Sequence, residues 1–323
     1  VIFNFPTVLY GINQLQGQLN IVMKARPVQE VIADPAVSDS VKLKFAFIEK
    51  VKRYAIDSLG LKETKNYTTF YDQGGKPLLW VITACEPFKI EAYEWKFPLL
   101  GSVSYKGYFD YEKGKEEEKL LIEKGFDTDY SEVTAWSTLG WFKDPILSGM
   151  LRRSKGQLAE LIIHEMTHAA IYIKSNVNLN ENLASVCGEE GAIRFLRFEY
   201  GAESNEVREY INRKADNDRF SSHMIAGSQK LDSLYSVIMD LPAINKKTEK
   251  DRMLRAIVGS LDTVSFHNPD RYKNAFRKNL PNNAYFIDFI RYDAQKDEMR
   301  IELMENFNGN IREYIKFMKE KHS

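Results

Sequence analysis

His164, Glu165 and His168 are the residues whose types and spacing point most directly to chemistry. They lie in Leu158-Ala159-Glu160-Leu161-Ile162-Ile163-His164-Glu165-Met166-Thr167-His168-Ala169-Ala170-Ile171-Tyr172-Ile173, which is apolar nearly all round. A segment of that kind reads as a buried helix. Two imidazoles and a carboxylate inside it are costly unless something pairs with them. Four residues apart, the histidines project from one face about one turn apart, close enough for both to reach one Zn2+ at about 2.0–2.1 Å. Glu165 is rotated about 100° from His164. It falls beside such an ion rather than on it, where a carboxylate can take a proton from water.

A third ligand is expected from Asn180-Glu181-Asn182-Leu183-Ala184. Asn180 reads as the N-cap of the next helix, which puts Glu181 in its first turn. The short connection folds that helix antiparallel onto the first, so Glu181 can face the histidines. Two His and one Glu leave a fourth position open, as a catalytic zinc requires. Glu189, two turns beyond Glu181, could orient a ligand histidine from behind, with Ser185 a weaker contender. The longer metzincin pattern is absent, because Ile171 and Lys174 stand where it needs Gly and His. His223, His267 and His322 lack ligand spacing. Cys85 and Cys187 are 102 positions apart; they read as separate buried thiols rather than a disulfide or metal pair.

The elements that must position these groups divide near residue 150. Before it, short helical and extended patterns alternate. Val41, Phe45, Ile48, Lys52, Ala55 and Leu59 mark one helix, with Ser38 to Ser40 offering caps and Gly60 a stop. Tyr67 to Tyr71 and Leu78 to Ala84, flanking Gly74-Gly75, predict a hairpin. Further extended pieces are expected at Phe88 to Trp95, Leu99 to Phe109 and Glu132 to Ser137, with a charged helix near Asp110 to Lys124. From Gly156 onward helices follow almost without interruption, over 156–174, 180–200, 203–217, 226–240 and 248–263, with two or three shorter ones to the end. The expectation is an α+β, predominantly helical chain. A small sheet-containing half (1–150) and an all-helical half (151–323) would share one core. Thr134 to Trp141, with Gly140 allowing close approach, could offer a strand to an extended peptide substrate; a plain packed strand is the competing reading.

Composition closes off other classes. At 44% apolar and 28% charged residues the chain is an ordinary globular protein, which excludes wholesale disorder. Basic and acidic residues balance at 45 each, so no electrostatic case for a nucleic-acid partner exists. No stretch of eighteen apolar residues spans a bilayer. Val1 to Tyr10 is nevertheless apolar and lacks an initiator Met. Either it packs on the core, or it adjoins a removed export or anchor segment.

The chain resembles a bacterial family of predicted zinc aminopeptidases of the gluzincin group. The resemblance rests on Gly17-Gln18-Leu19, Trp95-Lys96-Phe97-Pro98-Leu99-Leu100-Gly101, Tyr105-Lys106-Gly107-Tyr108-Phe109 and Ser137-Thr138-Leu139-Gly140-Trp141-Phe142-Lys143-Asp144-Pro145. The His164–His168 and Asn180–Ala184 segments complete it. It covers most of the chain; Lys96 departs from the Cys expected in Trp-x-Phe-Pro and touches no expected ligand. The resemblance implies a zincin-like fold, one Zn2+ per chain and hydrolysis of peptides, with an N-terminal export or lipid anchor that places the enzyme in the bacterial cell envelope or periplasm. A cytoplasmic enzyme is the alternative. Tyr105 and Tyr108, in a family-like motif, become candidate donors to the transition-state oxyanion, against the plainer reading of packing aromatics. Glu91, Glu94 and Glu132 are candidates to bind a substrate α-ammonium. A zinc endopeptidase and a non-catalytic peptide-binding protein stay open, and nothing fixes the oligomeric state.

Overall fold

The computed structural model describes residues 5–97, 101–133, 144–174, 176–293 and 296–322. The chain is α+β and predominantly helical, with small sheets confined to the segment before residue 148 among the described residues. It forms two compact units, each assembled from three segments. One comprises Leu15–Pro77, Thr134–Ile211 and Tyr292–Ser323 and carries the histidines; the other comprises Val1–Gln14, Leu78–Val133 and Asn212–Arg291. We call them the histidine unit and the sheet unit. Their bounds differ from a division at residue 150: residues 15–77 fall in the histidine unit and residues 212–291 in the sheet unit.

In the histidine unit, the helix Asp39–Asp57 buries Phe45, Ile48, Lys52 and Ala55 of the expected stripe and adds Phe47 and Val51 to it, while Val41 is half-buried. It ends before Gly60, whose φ of 71° takes the chain out of the helix. Phe47 and Tyr54 meet Phe195 edge-on, each with ring centroids 5.5 Å apart. Three short strands complete this unit, with Thr69–Tyr71 in the middle. It pairs antiparallel with Arg26–Pro27 and parallel with Ile146–Leu147.

That arrangement overturns the expected hairpin. Both edges of Thr69–Tyr71 are occupied, and the next donor, Gln73 N, is taken by Ser148 Oγ at 2.9 Å. Leu79–Cys85 instead lies at the centre of the sheet unit's own sheet, antiparallel to Lys106–Tyr108 and Asp127–Val133. Ile82, Ala84, Trp95, Tyr108 and Leu121 form the core beneath it. The charged helix appears as Tyr111–Glu123, with Asp110 accepting from Glu112 N and Lys113 N at its start. Elsewhere in the sheet unit, Met224, Leu231, Tyr235, Leu254, Ile257 and Phe286 close a helical core.

The helices expected over 203–217 and 226–240 are one helix of 34 residues, Asn205–Ile238. The polar run between them carries no Pro to end it, so intrachain hydrogen bonding continues. No helix among the described residues is long and apolar enough to cross a membrane. Phe5 opens the helix Phe5–Lys24; residues 1–4 lie outside the described residues.

Candidate metal and catalytic site

The helix Lys155–Ala170 begins at a capping box: Ser154 accepts from Gln157 N while the Gln157 side chain returns to Ser154 N. It is buried through Leu158, Ala159, Ile162, Ile163 and Met166, as its composition predicts. It stops at Ile171, which is extended (φ −144°, ψ 132°).

The following helix is Val177–Tyr200, capped by Asn176, whose side chain accepts from Leu179 N at 3.1 Å. This corrects the cap expected at Asn180, and it puts Glu181 in the second turn rather than the first. Asn180 has a different task. Its amide accepts from Ile173 N at 2.8 Å and donates to Ile173 O at 2.7 Å and Asn176 O at 2.8 Å. One buried side chain thus satisfies the backbone where the first helix has ended and the second has not begun.

Glycines set how closely the two helices approach. A Cβ on Gly188 would lie 3.0 Å from Glu160 O and 3.1 Å from His164 Cβ, and one on Gly191 would lie 2.9 Å from Ile163 Cγ2. No larger residue fits without widening the seam. Gly156 plays the same part toward Tyr210, whose Cδ2 would be 2.4 Å from an added Cβ. Tyr210 Oη then donates to Glu160 Oε2 at 3.0 Å, one turn before His164.

This seam brings the three expected ligand residues together. His164 Nε2 and His168 Nε2 are 3.1 Å apart. Glu181 Oε2 lies 3.5 Å from the first and Glu181 Oε1 3.5 Å from the second. One donor atom from each residue falls within 4.8 Å of the others. Tetrahedral coordination with bonds of 2.0–2.1 Å separates neighbouring donors by roughly 3.3 Å, so the spacing suits a small four-coordinate ion. The donor chemistry agrees, since two imidazole nitrogens facing each other beside a carboxylate share a cation better than they share one proton.

Electrostatics follow from burial and proximity. Burial pushes Glu165 above the usual carboxylate range; the two histidines oppose this, and Asp144 and Glu181 reinforce it. For His164, burial lowers the pKa, yet the Glu181 hydrogen bond and nearby carboxylates outweigh it and leave it raised. Glu181 is the converse: burial raises it, and the histidine pair carries it well below the usual range. Glu165 is 8% exposed and its Oε2 has no hydrogen-bond partner. A buried acceptor in that condition is uncommon.

The remaining expected residues are placed as follows. Glu189 is held by Arg300 Nη2 at 2.5 Å and Lys296 Nζ at 3.4 Å. Ser185 is half-buried one turn beyond Glu181. Tyr105 and Tyr108 belong to the sheet unit. Tyr105 is exposed there, while Tyr108 is buried edge-on to Tyr10, with centroids 5.7 Å apart. Glu91, Glu94 and Glu132 are exposed in that same unit. Gly140 and the whole strand expected over Thr134 to Trp141 lie outside the described residues. His223 Nε2 pairs with Ile257 O at 2.9 Å. Cys85 and Cys187 are both free and buried, and burial pushes each thiol up to about 12. Sequence reasoning passed over Tyr67, Glu160 and Tyr210. For Asp144 a signal existed, because it closes one of the motifs quoted above.

A family model described as "Putative aminopeptidase" matches residues 9–323. No curated protein and no solved structure among those compared matches the chain.

Proposed function

The chain belongs to this aminopeptidase family, and from that premise we propose that it is a zinc-dependent peptidase acting at the amino end of peptides, on a zincin-like fold. The observation that carries the metal assignment is the convergence of His164 Nε2, His168 Nε2 and the Glu181 carboxylate from two helices packed across glycine. These three residues would hold the ion. When bound, Zn2+ supplies the Lewis acidity that lowers the pKa of water and polarises a peptide carbonyl.

The rest of the chemistry falls to the chain. Glu165 accepts the proton of the attacking water on its carboxylate and delivers it to the leaving amine. Its burial favours this role, because a raised pKa makes it a better base than an exposed carboxylate and a competent acid afterwards. The histidine pair beside it favours the ionised form that must begin the cycle.

Metal analysis and one substitution test the reading. About one zinc per chain is expected, retained in Glu165→Gln, while peptide hydrolysis falls by at least ~10². A purified chain that takes up no stoichiometric zinc would remove the metal assignment. Comparing free with N-acetylated peptides tests the amino-end preference. Equal rates on both would remove the aminopeptidase reading.

A further inference from the structure

Tyr67 has a left-handed backbone, with φ at 62°. Among the described non-glycine residues it shares this with Asn308 (φ 49°). An Asn tolerates that region, whereas a bulky aromatic residue is strained in it. Strain of this kind persists only where the surroundings over-determine it. Here they do. Tyr67 N donates to Asp144 O at 2.7 Å. The preceding residue, Asn66, accepts from Asp144 N at 3.2 Å and donates to Asp144 Oδ2 at 3.4 Å. Asp144 is itself 1% exposed, and Pro145 holds it extended.

The clamp drives the Tyr67 ring into the interior, 3% exposed, with its hydroxyl lacking any hydrogen-bond partner. Glu165 Oε2, in the same unit, is buried without a partner as well. The charge of Glu165 acts on the phenol, which burial keeps protonated as a donor. A donor without an acceptor and an acceptor without a donor, each costly to leave alone, are thus within electrostatic reach. A ring so deeply covered does not act on a peptide in the solvent. Its route to the reaction is through Glu165.

We propose that Tyr67 is a positioning residue whose hydroxyl reaches Glu165 Oε2 through one enclosed water, and leaves Oε1 for proton transfer. Asn66 and Asp144 hold the strained backbone that aims it. The rate consequence rests on the peptidase reading; the pairing of the two side chains does not.

The test is a double-mutant cycle of Tyr67→Phe and Glu165→Ala in the full chain. It records kcat, KM, zinc per chain, and thermal midpoints with and without zinc. Tyr67→Phe removes one buried oxygen and keeps the packing. It should lower kcat by about tenfold to a hundredfold, with KM and zinc content unchanged. Neither kcat nor the midpoint should fall further when it is added to Glu165→Ala. Effects that multiply in kcat and add in the midpoints would overturn the pairing, as would a kcat within about twofold of the parent. Should the parent chain hydrolyse no peptide, the peptidase reading fails alone, and the midpoints of the four proteins still decide on Tyr67.

Discussion

Each unit buries a polar cluster, and the two clusters are built on opposite rules. In the sheet unit, Lys250 Nζ donates to Asp127 Oδ2 at 2.5 Å and to Pro87 O at 2.8 Å. Asn283 N adds a second bond to Asp127 Oδ2, its side chain donates to Glu86 O at 2.8 Å, and Tyr235 Oη donates to Asn283 Oδ1 at 2.7 Å. Every strong donor meets an acceptor, and the network closes on itself. In the histidine unit two ring nitrogens confront each other, and both Glu165 Oε2 and Tyr67 Oη are left over. A closed network specifies a fold. One with unspent capacity leaves buried polar groups still to be satisfied.

The contrast can be broken at its closed side first. Asp127→Ala leaves the Lys250 ammonium buried against the Pro87 carbonyl oxygen and should cost about 3–5 kcal/mol. Urea unfolding measures that loss, while hydrolysis per folded molecule should be unchanged. A loss below about 1 kcal/mol would mean that the cluster is not the closed structural network described.

The open side should respond to ligand instead. Zinc at a hundred times its dissociation constant should stabilise the parent by about 2.7 kcal/mol and Glu181→Ala hardly at all. Thermal midpoints titrated with zinc check this. An equal response in both proteins would show that the ion is held without Glu181.

The smallest effect sharpens the boundary between the two kinds of cluster. Burial raises Glu160, helped by Glu189 and opposed by the Tyr210 hydrogen bond. A carboxyl raised in the folded state binds its proton more readily there than in the unfolded chain. Its ionisation therefore weakens the fold as pH rises above the ordinary carboxylate range. Tyr210→Phe removes the opposing bond and should cost about 1 kcal/mol at pH 7. The cost should shrink near pH 3, below the ordinary carboxylate range, where Glu160 is protonated in both states. Stability curves at the two pH values provide the comparison, and a cost independent of pH would assign the effect to packing alone.

How much could be read beforehand depended on the range of each interaction. The helix that carries His164, Glu165 and His168 was legible because the four-residue histidine spacing and the apolar context are both local. Glu181 was legible because a short connection constrains where the next helix can go. Asn180 was misread as a cap because Asn176 and Asn180 are equally suitable by type, and only the backbone bonds around Ile173 separate them. The hairpin failed for a longer-range reason: Ile146 and Leu147, some seventy residues on, occupy the edge that a neighbouring strand would need. Tyr67 was unreadable in principle. Its interest lies in a positive φ and a hydroxyl without a partner, and a residue letter carries neither.

The Asn180 bridge gives the site a clock. The amide of Ile173 belongs to no helix, yet its hydrogen is held by a side chain 3% exposed at the root of the second helix. That hydrogen can exchange with solvent only when Asn180 lets go, which requires the start of the Glu181 helix to lift. The exchange rate of this one amide therefore reports how often the ends of the two helices that carry His168 and Glu181 part. An ion shared by both helices would slow it, while amides at frayed surface termini would keep their pace.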